Sequence, residues 1–167
     1  MTPAGLQLSI LLLPLGAAVL LAFAPWARAM LAHRVAAFVM ATATVLAFQL
    51  VFACLLADAP LPGVHVRWLE VGGLLLGLGT MADAMGSVMS LVVCLLGTLV
   101  LVFNGWYMHD DPRAARFPWQ FCFFLFAMLG VVLSPNLLQT FLFWELVGLG
   151  SYLLIGFWND KPAASDD

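Results

Sequence analysis

The chain has 167 residues, of which 64% are hydrophobic and only 9% are charged. A water-soluble domain is roughly 45–50% apolar and about 25% charged, so this composition excludes an ordinary soluble globule and indicates an integral membrane protein. Six basic residues stand against nine acidic ones. That balance excludes the basic surface of a nucleic-acid-binding protein, so no nucleic acid is expected as a partner. The composition makes the lipid bilayer the expected environment.

Five apolar stretches are long enough to cross a bilayer, which takes about 20 residues in a helix. They are residues 6–24, 35–57, 84–106, 117–133 and 136–158. Proline disfavours helical geometry in the residue before it, so Pro135 divides the last two stretches by a turn. The predicted fold is an all-α membrane protein of about five helices. Residues 1–158 form its single domain, and a polar tail follows at residues 159–167.

The first stretch lacks the basic residues that begin a secretory signal, so we expect a retained helix. Five of the six basic residues lie on one predicted side of the membrane: Arg28, Arg34, Arg113, Arg116 and Lys161. Only Arg67 lies on the opposite side. Because basic residues favour cytoplasmic loops, this distribution predicts that the N-terminus is outside.

The connection between the second and third helices contains a strand pattern. Residues 64–71 alternate apolar with polar side chains at most positions, which is typical of a half-buried strand. Gly72 and Gly73 indicate a turn, and residues 74–78 are suited to a returning strand. We therefore predict a small β-hairpin on the outer face.

Glu145 is the most informative residue, because it lies near the middle of the fifth apolar stretch. A charged side chain at such a depth costs about 2.5–3.5 kcal/mol on insertion scales and normally faces protein or a water-filled path. At 100° per residue it shares one helix face with five others: Leu138, Phe141, Gly148, Tyr152 and Gly156. Two interpretations stay open, a protonated carboxyl bonded to a neighbouring helix or a proton relay with Tyr152 nearby.

Two features of the third helix have simpler interpretations beside functional ones. Small residues recur at every fourth position: Ala82, Gly86, Ser90, Cys94 and Thr98. Such stripes allow close helix packing in lipid, and the alternative is that the stripe lines a path. Asp83 lies at the start of the helix, where an acid suits the positive end of the helix dipole, and the alternative is a functional site.

The sequence predicts no cofactor or metal bound by this chain. Cys54, Cys94 and Cys122 lie far apart inside apolar runs, without the spacing of a disulfide framework or redox motif. The three histidines, His33, His65 and His109, lack paired ligand spacing and are expected at the surface. There is no phosphate-binding loop or dinucleotide fingerprint.

Three segments of the chain resemble a known family in the same order. Residues 144–158, with Glu145 in their second position, resemble the signature of subunit L (subunit 5 in mitochondria) of proton-pumping NADH–quinone oxidoreductase, complex I. Residues 83–90 are similar to that family's entry into its third helix, and residues 107–117 to its loop before the fourth helix. The resemblance covers roughly residues 60–162.

The resemblance implies a subunit of a larger complex and not a self-contained catalyst. In that family the glutamate matching Glu145 is a charged site half-way through the membrane, paired with a lysine on a later helix. NADH, FMN, iron–sulfur clusters and quinone are expected elsewhere in such a complex. The expected location is the bacterial cytoplasmic membrane, which the chain would cross several times.

One departure leaves alternatives open. The only lysine is Lys161 in the polar tail, and the arginines also lie outside the predicted spans, so no predicted span supplies a basic partner for Glu145. We expect another polypeptide with the missing family helices, among other membrane subunits. The same signature also occurs in cation/proton antiporters and inorganic-carbon uptake subunits. A third possibility is a truncated membrane fragment without catalytic function.

Overall fold

The structure, a computed structural model, describes residues 2–23, 29–57, 59–71, 74–108 and 114–158. Its helices are α1 (Pro3–Ala22), α2 (Ala29–Leu55), α3 (Ala84–Tyr107), α4 (Phe117–Val132) and α5 (Leu137–Ile155), followed by a short 3-10 helix, Gly156–Trp158. Two strands, β1 (Leu61–Val71) and β2 (Leu74–Ala82), form an antiparallel hairpin between α2 and α3. The predicted helical membrane fold with a small hairpin is confirmed.

Four of these helices are long and apolar enough to cross a membrane, and α4 is shorter at 16 residues. A helix of that length spans about 24 Å, which is less than the roughly 30 Å hydrocarbon core. The turn around Pro135 ends α4 early, and the hairpin covers its end. The backbone N–H of Met81 donates to the carbonyl of Leu133 at 3.0 Å.

The core forms where α1, α2, α3 and α4 pack together. On α2 the buried residues form one stripe of mostly small side chains: Ala32, Ala36, Met40, Ala43, Ala47, Leu50 and Cys54. Small residues let helix backbones approach closely in lipid, where polar side chains also join helices. The hydroxyls of Thr44 on α2 and Thr98 on α3 accordingly lie 3.1 Å apart.

The hairpin differs from its prediction in extent and in burial. The second strand continues past Leu78 to Ala82, so Ala82 ends a strand and does not begin α3. The exposed fraction is 56% for both Val66 and Trp68, so the alternation does not mark a half-buried strand. The helix ends lie under the hairpin, and no other described element covers its outer side. The predicted turn at residues 72–73 lies outside the described residues.

Gln139, on the first turn of α5, joins the hairpin to the helices. Its side-chain oxygen accepts from the N–H of Gly79, and its side-chain N–H donates to the carbonyl of Gly79, both at 2.8 Å. Asn136 caps α5 by accepting from the N–H of Gln139 at 2.9 Å, and its amide donates to the carbonyl of Gly77 at 2.8 Å. The strand β2 and the start of α5 are therefore held together by hydrogen bonds between side chains and backbone.

A second amide joins the hairpin to α1. Gln7 is fully buried, and its side-chain N–H donates to the carbonyl of Leu61 at 3.0 Å. Gly63 lies against this amide, and a Cβ at that position would overlap both the Gln7 and the Thr80 side chains. The first strand therefore needs glycine there to approach α1.

We predict that Gln139→Met lowers the free energy of unfolding by about 1–3 kcal/mol, because it leaves the polar groups of Gly79 without their partners. Methionine keeps a similar side-chain length, so the loss reports the hydrogen bonds. Thermal unfolding of the purified protein in mild detergent measures the change. Thr42→Val is the control, because the exposed Thr42 hydroxyl bonds only to the carbonyl of Phe38 on its own helix. Equal melting temperatures for the two variants would contradict the prediction.

Candidate functional site

The predicted site residue Glu145 lies on α5, about 12 Å along the helix axis from its first residue. Because α5 has 19 residues, this position is close to the middle of the helix. The hydrogen bonds of Gln139 lie about 9 Å away along the same axis. The depth of Glu145 relative to the hairpin is therefore set by a rigid helix with an anchored start.

One face of α5 packs against α4, and two glycines make the contact close. A Cβ at Gly130 on α4 would overlap the ring of Phe143 on α5. A Cβ at Gly150 on α5 would lie 3.2 Å from the Cα of Phe124 on α4. The rings of Phe126 and Phe143 also meet edge to face, with centroids 5.4 Å apart. These contacts fix the rotation of α5 about its own axis.

Glu145 lies on the opposite face of α5. Four of the five residues predicted to share that face are exposed: Leu138, Phe141, Gly148 and Tyr152. The fifth, Gly156, begins the 3-10 helix after α5. A Cβ at Gly148 would meet nothing within 4 Å. Glu145 itself is exposed and has no hydrogen bond or ion pair with any residue that the structure describes. We call this surface the Glu145 face.

Tyr152 is 72% exposed on the same face. It lies seven residues after Glu145, which is about 10.5 Å along the helix axis. The structure shows no hydrogen bond between the two side chains. A role for Tyr152 beside Glu145 stays a prediction that would need a group or water between them.

Asp83 serves as the N-cap of α3. Its side-chain oxygen accepts from the N–H of Gly86 at 2.6 Å, and its carbonyl accepts from the N–H of Ser87 at 2.9 Å. Capping satisfies donors that a helix start leaves without partners, so the geometry accounts for an acid at this position. Asp83 lies at the hairpin end of α3, and Glu145 lies half-way along α5. The two carboxylates therefore lie at different depths in the membrane.

The small residues of α3 pack against neighbouring helices. Ser90 and Cys94 are fully buried, and the Thr98 hydroxyl contacts α2. The hydroxyls also bond within α3, where Ser90 donates to the carbonyl of Gly86 and Thr98 to that of Cys94, each at 2.8 Å. These contacts support the packing interpretation of the stripe.

The prediction that the histidines lie at the surface is wrong for His33. It is only 4% exposed, and its ring stacks on Phe117 with centroids 6.1 Å apart. The sequence placed it in a loop, whereas α2 begins earlier and carries it into the core. His65 is exposed on the hairpin, and His109 lies outside the described residues. Within the described ranges no three His, Cys, Asp or Glu side chains gather as a metal site.

Asn136 and Gln139 are structural anchors that were not predicted from the sequence. Their spacing is nevertheless that of an N-cap residue followed three positions later by glutamine, which is a known signal for a helix start. The contact of Gln139 with Gly79 spans 60 residues of sequence. No local pattern predicts such a pairing.

Two family sequence models match the chain. Residues 68–118 match "NADH-Ubiquinone oxidoreductase (complex I), chain 5 N-terminus", and residues 134–166 match "NADH:quinone oxidoreductase/Mrp antiporter, TM". The second range contains Glu145 and all of α5. Both matches agree with the segments on which the resemblance was based.

Curated relatives agree with the family matches. NAD(P)H-quinone oxidoreductase chain 5 of Synechocystis sp. is 43% identical over 101 residues, which cover 60% of this chain and 15% of that protein. The chloroplastic subunit 5 of Cryptomeria japonica is 40% identical over 129 residues, covering 77% and 17%. The matches thus span about one-sixth of the relatives' length.

A solved structure shows the same fold. A chain of the membrane-bound sulfane sulfur reductase, an archaeal respiratory membrane complex, superposes with a TM-score of 0.77 and 16% sequence identity. The superposition covers 96% of this chain and 32% of that chain. Together, the matched segments and the relatives show that the chain belongs to the antiporter-like family of complex I subunit 5, also called subunit L.

Proposed function

We propose that this chain is part of the membrane arm of a proton-translocating NAD(P)H–quinone oxidoreductase, and that Glu145 relays protons within it. The observation that carries the proposal is the position of Glu145, half-way along an apolar helix and on its uncovered face. Multi-pass membrane insertion follows from the four long apolar helices and the family. We further propose that the membrane in which the chain lies is a bacterial cytoplasmic membrane.

The cost of an intramembrane carboxyl supports a functional role. An ionisable group at this depth normally faces protein or a water-filled path, because hydrocarbon cannot solvate it. The described part of the chain provides no such partner for Glu145. We therefore infer that other membrane helices cover the Glu145 face in the complete assembly and supply a basic group or water. The redox cofactors and quinone would bind elsewhere in that assembly.

The anchoring of α5 suits a relay. A carboxyl can pass a proton only if its donor and its acceptor lie within hydrogen-bond reach, directly or through one water. Gln139 fixes the start of the helix, and the contacts at Gly130 and Gly150 fix its rotation. The position of Glu145 is thus held by groups on the opposite face, which leaves its own face available for a partner.

We predict that Glu145→Gln lowers the number of protons translocated per NAD(P)H oxidised, because glutamine keeps the shape but cannot carry the proton, which slows the transfer step that Glu145 serves by about 10²-fold or more. The measurement is the number of protons translocated per NAD(P)H oxidised by the assembled complex in sealed vesicles. Glu70→Gln is the matched control, because Glu70 is an exposed carboxylate on the hairpin. A wild-type ratio in Glu145→Gln would contradict the relay.

We also predict that Gly148→Leu impairs assembly of the complex. The substitution meets open space within the described chain, but it would obstruct a helix packed on the Glu145 face. Native electrophoresis of solubilised membranes measures the assembled fraction. Gly16→Leu is the control, since Gly16 also borders open space but lies on α1, which has no ionisable residues. Normal assembly of Gly148→Leu would show that no protein helix packs closely there.

A cation/proton antiporter subunit is the second candidate function. The family sequence model that matches residues 134–166 names both NADH:quinone oxidoreductases and Mrp antiporters. Purification of the tagged protein in mild detergent, followed by mass spectrometry, separates the two. Co-purified flavin and iron–sulfur subunits would support the oxidoreductase. A partner set without redox subunits would support the antiporter and overturn the first proposal.

A further inference from the structure

A cleft of about 270 Å³ lies between the start of α2 and the end of α3. Arg34 and Trp106 border it, and Ala37 and Val102 line its apolar part. The helices approach closely beside it, since a Cβ at Gly105 would lie 3.1 Å from the Cβ of His33. The cleft therefore combines one guanidinium with an apolar groove on the surface of two membrane helices.

The depth of the cleft is that of the lipid headgroups. The contact between Thr44 and Thr98 lies near the middle of both helices and serves as a reference level. From it, Arg34 is about 15 Å and Trp106 about 12 Å along the helix axes, toward the same membrane face. Half of the hydrocarbon core is also about 15 Å thick, so both side chains lie at its boundary.

Arg34 provides an exposed guanidinium at the edge of the cleft. Arg34 is exposed and forms no ion pair with any other residue in the part of the chain that the structure describes. A guanidinium binds phosphate through two parallel hydrogen bonds. Trp106 is 80% exposed, and an indole at this depth prefers the interface between headgroups and hydrocarbon. Basic clefts between membrane helices are suited to anionic lipid headgroups.

We propose that this cleft binds an anionic membrane phospholipid. Arg34 would bind the phosphate, Trp106 would flank the headgroup, and one acyl chain would lie along Ala37 and the exposed Val102. The proposal depends on membrane insertion and not on the relay role of Glu145, which lies on another helix. It can therefore fail or succeed independently of the proposed function.

The test is photo-crosslinking of the complete membrane assembly with phosphatidylglycerol or phosphatidylcholine that carries a photoreactive acyl chain. Peptides containing residues 30–37 and 101–106 should be labelled more by phosphatidylglycerol. Arg34→Gln should lower the ratio of the two labels about fivefold, since one basic residue near an anionic surface contributes about that factor. Arg116→Gln is the matched control, because it removes a charge from the same membrane face outside the cleft.

Three results with the wild type and the two arginine variants would overturn the proposal. Equal labelling by both lipids would show that the cleft does not select an anionic headgroup. An equal fall in Arg34→Gln and Arg116→Gln would show a general surface-charge effect. Loss of labelling on addition of inorganic phosphate would show a site for the free anion. If Arg34→Gln does not assemble, Ala37→Phe decides, because it fills the apolar groove without changing charge, and unchanged labelling in it would also overturn the proposal.

Discussion

The side-chain amide of Gln139 binds both backbone groups of Gly79, and the placement of α5 depends on this contact. The amide continues the hydrogen bonding of β2 into the first turn of a membrane helix. Buried backbone groups are costly to leave without partners, especially next to hydrocarbon, so the contact opposes both sliding and rotation of α5. The hairpin thereby acts as a fixed support for a helix that is otherwise packed on one side only.

The two faces of α5 differ, because one packs against α4 and the other carries Glu145. Gly130, Phe143 and Gly150 produce a close contact with α4, and the buried face contains no ionisable group. The Glu145 face carries the carboxyl and open space at Gly148. A helix that is firmly held on one side can present an ionisable group on the other without reorganising when a partner's charge changes. This arrangement suits the proposed relay.

Much of the fold could be predicted from the sequence because the signals were local. Apolar length identified the helices, and Gly72 and Gly73 with the flanking pattern identified the hairpin. The helical period placed Glu145 with Phe141, Gly148 and Tyr152 on one face. The burial of His33 and the pairing of Gln139 with Gly79 could not be predicted, because both depend on contacts between elements that are distant in sequence.

We propose that the Glu145 carboxyl gains and loses a proton during turnover. Infrared difference spectroscopy of the assembled complex, recorded on reduction with NAD(P)H, observes carboxyl groups directly. We expect a change in a carboxyl C=O band that is absent in Glu145→Gln and retained in Glu70→Gln. Identical difference spectra for the wild type and Glu145→Gln would contradict it.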